Sequence, residues 1–293
     1  MSTVVVFGAS GLLGASLMPA LRARGHTVLT QSRRTGADLY LDPSDRTAVA
    51  SALARYRPDA VVNLVAATNV DLCETQTELA WQANAGVVAA IAYGIAACGG
   101  VQELRPHLVH VSTDQVYDGA GPHAEDEVHP INVYGLSKYT GELLAERVGA
   151  TILRSNFYGR SRCVGRVSFS DWLVRSLREK KHITVFDDVK FSAIHMDTLC
   201  DLIARSIDSR PAGIFNAGCR DGISKARFAL ALADSLDLPI DNVKVGTSAD
   251  AAFKARRPLD MTLQVTRLEA AFHLQCPAIW AEIAHTAKEY LND

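Results

Sequence analysis

The chain alternates short β-branched or aliphatic runs with longer segments whose apolar residues return at helical spacing. Thr3 to Phe7 is a strand, followed by a glycine-rich turn and a helix over Ala15 to Arg24, which Gly25 stops. His26 to Gln31, Leu39 to Leu41 and Ala60 to Val65 read as the next strands, with a helix over Asp45 to Tyr56 closed off by Pro58. A long helix covers Glu78 to Ala97, then a strand Leu108 to Ser112, a helix Tyr134 to Val148 and a strand Thr151 to Arg154. Val4-Val5-Val6 and Ala60-Val61-Val62 do not alternate with polar residues, which suits strands covered on both faces. Strands alternating with helices of this length predict βαβ units, hence an α/β fold built on a doubly wound parallel sheet of Rossmann type. The expected dinucleotide-binding domain is residues 1–155.

After Phe157 the rhythm changes. Ser170 to Lys180 is an amphipathic helix and Ile183 to Phe186 a short strand. Helices are expected over Met196 to Ile207, Ser224 to Leu236 and Cys276 to Tyr290, with a strand at Gly213 to Gly218. Residues 156–293 are read as mainly a smaller substrate-binding lobe, with segment 192–218 returning to the first domain and a cleft between them.

Composition narrows the class without naming it. Thirty basic residues face thirty-two acidic ones, so neither a nucleic-acid footprint nor a polybasic membrane anchor is expected. The apolar start leads straight into Gly8, unlike a cleavable signal, and no apolar run approaches the about 20 residues a membrane span needs. The most apolar stretch, Asn84 to Gly100, reads as a buried helix, and the protein is expected in the cytoplasm. The six cysteines form no Cys-x-x-Cys and the nine histidines no metal pattern. Reduced thiols and no metal are the expectation.

The chemistry is more specific. Gly8, Gly11 and Gly14 follow a strand and open a helix, where glycine lets backbone approach a pyrophosphate and the helix N-terminus offers free N–H groups. At the end of the second strand, NAD-binding chains place an acidic residue on the ribose. This chain has Arg33 and Arg34, which suit the 2′-phosphate of NADPH or are two solvated loop residues. Asp42 is placed either to meet the adenine or to cap the next helix. Val65, Ala66, Ala67 and Thr68 end the fourth strand at the sheet's carboxyl edge, as a small-residue bed for the cofactor or a tight strand–helix join. Asn84, polar inside an apolar helix, needs a partner and is expected to pin backbone near that strand. Thr113 ends the fifth strand. Tyr134 and Lys138, one helical turn apart, share a helix face. In this arrangement Thr113 orients a carbonyl, Tyr134 gives it a proton, and Lys138 lowers the proton affinity of Tyr134.

These residues resemble the extended short-chain dehydrogenase/reductase family, and within it the dTDP-4-dehydrorhamnose reductase group. The likeness rests on Gly8-x-x-Gly-x-x-Gly14, Val70-Asp-x-x-Glu74, Ser112-Thr-Asp-Gln-Val-Tyr-Asp-Gly119, Asn132-Val-Tyr-Gly-Leu-Ser-Lys138 and Ala255-Arg-Arg-Pro258. The resemblance implies reduction of a 4-keto-6-deoxy nucleotide sugar by NADPH, with NADH as a possible substitute. It places Gly11, Leu12, Leu13, Asp42, residues 65–68, Tyr134 and Lys138 around the cofactor. Gly8 and Ser10 of the same turn join that set. Asp114 and Arg257 are implied to face the sugar nucleotide, although Arg257 alone also reads as a surface ion pair. Gln115, Asn156 and Phe157 stand where the group usually has Tyr and Thr-Ser-Trp, so these substrate-facing residues depart from it. Ser16 replaces the glutamate through which some members hold magnesium. The expected partner is a small-molecule nucleotide sugar, with a homodimer left open. Two other readings compete: an NAD-dependent epimerase or dehydratase of the same superfamily, and a non-catalytic regulatory subunit like methionine adenosyltransferase β.

Overall fold

Seven parallel strands form the central sheet of this computed structural model, which describes residues 1–33, 36–99 and 105–291. In chain order they are β1 (Thr3–Phe7), β2 (Thr27–Ser32), β3 (Leu39–Tyr40), β4 (Ala60–Asn63), β5 (His107–Thr113), β6 (Thr151–Ser155) and a last strand, Gly213–Asn216. Their order across the sheet is β3, β2, β1, β4, β5, β6 and then Gly213–Asn216. The order reverses between β1 and β4, and the carboxyl ends of the strands on either side of such a reversal open a crevice. Helices α1 (Leu12–Ala23), α2 (Arg46–Tyr56), α3 (Val70–Thr75), α4 (Thr77–Trp81), α5 (Val87–Ala97) and α6 (Val133–Glu146) connect the first six strands.

The unbroken apolar runs have the expected cause. Val4 and Val6 enter one hydrophobic cluster and Val5 and Phe7 another, on opposite faces of β1. All four are fully buried, so beyond the half-buried Thr3 no position of this strand is left for a polar residue.

Helix α1 starts at Leu12, three residues ahead of expectation, because the glycine turn closes at once onto the N-cap Gly11. Gly8 has φ +80°, and a Cβ on Gly14 would lie 2.4 Å from the carbonyl oxygen of Ala9. The turn can therefore be this tight only with glycine at both positions.

The helix after β4 is longer than its most apolar stretch suggested. It runs continuously over Thr77–Ala97, 21 residues, and is long and apolar enough by composition to cross a membrane. This corrects the expectation that no such run exists. Its π-helical turn, Gln82–Gly86, and its buried face, which includes Val88, Ile91 and Ile95, make it a core helix of this fold. All six cysteines are free, four of them buried.

Beyond β6 the chain forms three small sheets. Phe157–Tyr158 pairs with Ile194–His195, Ile183–Phe186 with Val243–Gly246, and Lys190–Phe191 lies between Ile223–Ser224 and Asp260–Met261. Only Ile183–Phe186 was anticipated. Strands of two residues leave no periodicity to read.

One buried polar cluster joins these parts. Arg154 on β6 and Glu142 on α6 are both fully buried and pair at 2.6 Å, with the Arg154 Nε also donating to both carboxylate oxygens. Ser112 of β5 donates a hydrogen bond to the same carboxylate. The other Arg154 nitrogen donates to the Tyr117 hydroxyl at 2.7 Å and the Glu125 carbonyl at 2.6 Å. The Tyr117 hydroxyl donates to Asn216 on the last strand at 2.7 Å. Removing one partner strands a charge in the core. Arg154→Met is expected to lower unfolding stability by about 3–5 kcal/mol, read as a fall in the urea midpoint; an unchanged midpoint would show that the cluster does not hold the sheet to α6.

Candidate active site

The cofactor side is built on the glycine turn. Helix α1 has no side-chain cap and no acidic residue in its first turn, so its leading amides are free for an anion. Gly8, Ser10, Gly11 and Leu12 line this turn with partial or full exposure. The Leu13 side chain is core-buried, leaving only its backbone to that side. Gln31, buried at the end of β2, donates to the Leu41 carbonyl at 2.9 Å and accepts from the Gly8 N–H at 3.4 Å. The carboxyl ends of β1, β2 and β3 are thereby tied together.

Arg33 is exposed beside Asp42, and Arg34 lies outside the described residues. The Asp42 carboxylate accepts from the Ser44 N–H at 2.9 Å and its hydroxyl at 2.7 Å. These bonds, the backbone one first, and the nearby Arg33 charge hold its pKa below the usual value. Asp42 is not the helix cap: Asp45 caps α2, accepting from the Thr47 and Ala48 N–H groups. Val65, Ala66 and Ala67 are half-buried and Thr68 is exposed. Asn84 clasps this segment as expected, accepting from the Ala67 N–H at 2.8 Å and donating to the Ala67 carbonyl at 3.2 Å. The π-helical turn carries Asn84 there.

Thr113 ends β5, and Tyr134 and Lys138 rise from α6 beside it, all three buried. Asn132 caps α6, accepting from the Gly135 N–H at 2.8 Å and donating to the Arg256 carbonyl at 2.9 Å. A Cβ on Gly135 would lie 2.3 Å from the Gln115 carbonyl oxygen, so glycine sets how closely the helix approaches the end of β5. Burial raises the Tyr134 pKa well above the ordinary phenol value, a hydrogen bond with Thr113 opposes this, and the Asp114 charge adds to the rise. Lys138 is not among the groups that shift it. Its ammonium donates to the Val111 carbonyl at 2.7 Å, and burial brings its own pKa down to about 8.

Among the residues expected to face the substrate, Asp114 is buried and accepts from Asn156 Nδ2 at 2.9 Å, with Thr113 Oγ1 at 3.3 Å. Burial raises its pKa to about 6 against the pull of Asn156 and Lys225. Gln115 and Phe157 are half-buried nearby in sequence, and the Gln115 Oε1 has no hydrogen-bond partner among the described residues. Arg257 forms an ion pair with Asp71 at 2.9 Å, its side chain 18% exposed and stacked 4.5 Å from the Phe253 ring centre. It borders a cavity of about 710 Å³ with Asp118, Phe253 and Arg256.

The RmlD substrate binding domain model matches residues 1–292. The chain belongs to this family. It is similar to the dTDP-4-dehydrorhamnose reductase of Streptomyces griseus, 32% identical over 91% of this chain and 87% of that one. It is also similar to methionine adenosyltransferase 2 subunit beta of Mus musculus, 28% identical over 91% of this chain and 81% of that one. A crystal structure of dTDP-4-dehydrorhamnose reductase from Bacillus anthracis in complex with NADP superposes with a TM-score of 0.87 at 24% identity, covering 98% and 99% of the two chains. That likeness shows the fold.

Several residues of this family member acquire roles that the sequence did not reveal. Asp71 and Glu74 were read only as a family signature. Asp71 accepts from the Lys254 and Ala255 N–H groups, both at 3.0 Å, besides pairing with Arg257. Glu74 accepts from the Val133 N–H at 3.1 Å, at the head of α6. Lys225 was not singled out at all, yet its charge reaches Asp114. His195, Asp197 and His285, distant from any metal pattern in sequence, bring ligand atoms within 4.8 Å of one another. Two of the three already have partners: Asp197 is clamped by Arg162 at 2.6 and 2.8 Å, and His195 Nε2 meets Glu289 at 2.8 Å.

A carboxyl whose folded pKa lies above its unfolded one binds its proton more tightly when folded. It favours the folded state below the unfolded pKa, and that advantage is lost as pH rises through the folded pKa. For Asp114 the window runs from 3.8 to about 6. Asp114→Asn should therefore gain up to about 3 kcal/mol over the wild type between pH 4 and pH 7, measured as the difference in urea unfolding. A difference that stays constant with pH would exclude a buried, ionising Asp114.

Proposed function

We propose that the chain is an NADPH-dependent reductase of a 4-keto-6-deoxy nucleotide sugar. The observation that carries this is the meeting of Thr113 and Tyr134 hydroxyls with buried Lys138 at the carboxyl edge of the sheet, in a chain of this family. A second support is the fit of the glycine turn to a dinucleotide. Uncapped amides lead α1, and the turn that presents them is held tight by Gly8 and Gly14, where a Cβ would run into the backbone of Leu64 and Ala9.

Gly8, Ser10, Gly11, Leu12 and the Leu13 backbone would hold the pyrophosphate, Arg33 and Arg34 the 2′-phosphate, Asp42 the adenine side, and residues 65–68 the dinucleotide's inner face. Bound there, the dihydronicotinamide supplies the hydride for the C4 carbonyl carbon. Tyr134, kept fully protonated at neutral pH by burial, gives its proton to the carbonyl oxygen. Thr113 orients that oxygen. Lys138, its ammonium anchored on Val111, meets the ribose and supports the charge left on Tyr134. Asp114, Gln115, Asn156, Phe157 and Arg257 bind the sugar nucleotide between the sheet edge and the small sheets beyond β6. The working partner is this small molecule, with NADH as the weaker substitute. The methionine adenosyltransferase relative makes a regulatory subunit the second reading. A chain silent towards keto-sugar nucleotides that copurifies with such an enzyme would favour it.

Tyr134→Phe should lower turnover about 10²- to 10⁴-fold while leaving NADPH affinity within a factor of two. Loss of NADPH absorbance with a panel of keto-sugar nucleotides measures it, and a fully active variant removes the acid role from Tyr134. Arg33→Ala combined with Arg34→Ala should weaken NADPH at least tenfold more than NADH. An unchanged NADPH-to-NADH ratio would assign the 2′-phosphate elsewhere.

A further inference from the structure

The loop that precedes helix Phe169–Arg178 is closed at its base by one carboxylate. Asp171 Oδ2 accepts from the Ser161 N–H at 3.1 Å and from the Ser168 N–H at 2.9 Å, so both ends of residues 161–168 meet on the same oxygen. Tyr290 donates to the other Asp171 oxygen at 2.7 Å. Two further carboxylates fasten the entry to the loop. Glu289 accepts from the Arg160 N–H at 2.8 Å, and Asp197 takes both ends of the Arg162 guanidinium. A short segment whose ends are this close is a compact surface loop, a form that frequently carries function.

The tip is held differently. Val164, Gly165, Arg166 and Val167 are all exposed, Val164 completely, and Gly165 turns the chain at φ +76°. Among the described residues the N–H groups of Val164, Gly165 and Val167 have no hydrogen-bond acceptor. The tip meets the first domain through a thiol, a weak donor: Cys163 Sγ lies 3.3 Å from the Ser10 carbonyl oxygen. Ser10 belongs to the glycine turn whose uncapped amides lead α1. The Arg166 N–H donates to the Cys163 carbonyl at 3.2 Å, so one turn sets Arg166 beside the residue that touches Ser10. The Arg162 guanidinium is engaged by Asp197 and Glu289, whereas among the described residues no acceptor holds that of Arg166. A fixed stem, a weakly attached tip, two exposed valines and an uncommitted guanidinium thus stand at the rim of an anion site. An arginine that meets a phosphate gains charge-assisted hydrogen bonds, and covering a valine removes apolar surface from water. Both gains wait for an anion on the turn.

Resting on the cofactor reading above, we propose that residues 161–168 are a lid on the bound dinucleotide, closing about the Asp171 stem so that Arg166 pairs with the pyrophosphate and Val164 and Val167 are covered. Arg166 is then a cofactor-binding residue supplied from beyond β6, on the opposite side of the pyrophosphate from the α1 amides. Its contacts form only after the dinucleotide lies on the turn, so the lid slows release and leaves capture almost unchanged. Empty and loaded protein differ at the tip of the loop and not at its stem.

The test is amide hydrogen exchange of the whole protein with and without saturating NADP⁺, joined to the NADP⁺ dissociation rate by stopped flow. Exchange at residues 164–167 should slow at least tenfold on loading, while the exposed segment 237–241 changes less than twofold. Arg166→Gln should release NADP⁺ at least fivefold faster than the wild type with an association rate within twofold, and Arg166→Lys should keep most of the wild-type residence time. Because Arg166 is exposed, neither variant disturbs the core. Unchanged exchange at 164–167, or wild-type release from Arg166→Gln, overturns the lid and leaves the reductase reading intact. A wild type that binds neither NADP⁺ nor NAD⁺ overturns both.

Discussion

The buried pair between Glu142 and Arg154 is the interaction on which the geometry of the site depends. Neither residue touches the cleft's chemistry. Glu142 lies one helical turn beyond Lys138 on α6, and Arg154 lies on β6, the neighbour of the strand that ends in Thr113. Fixing these two side chains sets how α6 lies over β5, and therefore how Tyr134 meets Thr113. A buried ion pair is rarely a large net source of stability, since desolvation offsets most of the attraction. Its value here is directional. Ser112, Tyr117, the Glu125 carbonyl and, through Tyr117, Asn216 all take their places from it. An apolar replacement of equal volume would fill the space without specifying that orientation.

The electrostatics of the cleft follow from burial more than from neighbouring charge. Desolvation is the first cause of the shift for Tyr134, Lys138 and Asp114 alike. It disfavours the charged form in each, raising the two acids and lowering the base. Lys138 is anchored on the Val111 carbonyl. Tyr134 is left as a protonated donor hydrogen-bonded to Thr113, the state a carbonyl reduction starts from.

The small sheets beyond β6 bring residues far apart in sequence into the same cleft. Asp71 on α3 fastens residues 254–257 across more than 180 positions, and Asn132 fastens Arg256 to the start of α6. The loop that carries Arg257 is therefore held by the same helices that frame Tyr134. On the proposed reading, the substrate-binding loop and the proton donor would share this connection.

Much of this was legible in the chain itself. The seven-stranded α/β sheet, the glycine turn and the clasp of Asn84 on the β4 segment rest on local rules: side-chain period, positive φ, and polar groups that must find partners in an apolar helix. Tyr134 and Lys138 on one helix face follow from a spacing of four. The structure corrected what depends on surroundings. Asp42 bonds Ser44 rather than capping α2, and most of the short strands beyond β6 were not foreseen. Arg154 carried no local signal, because what makes it matter is the presence of a charge brought near by tertiary packing. Sequence alone determined the strands of the central sheet, the longer helices and the faces of their residues, since those are set by neighbours a few positions away. Only the tertiary structure decided which buried charges meet, since that depends on strands and loops separated by tens to hundreds of residues and on the loss of water between them.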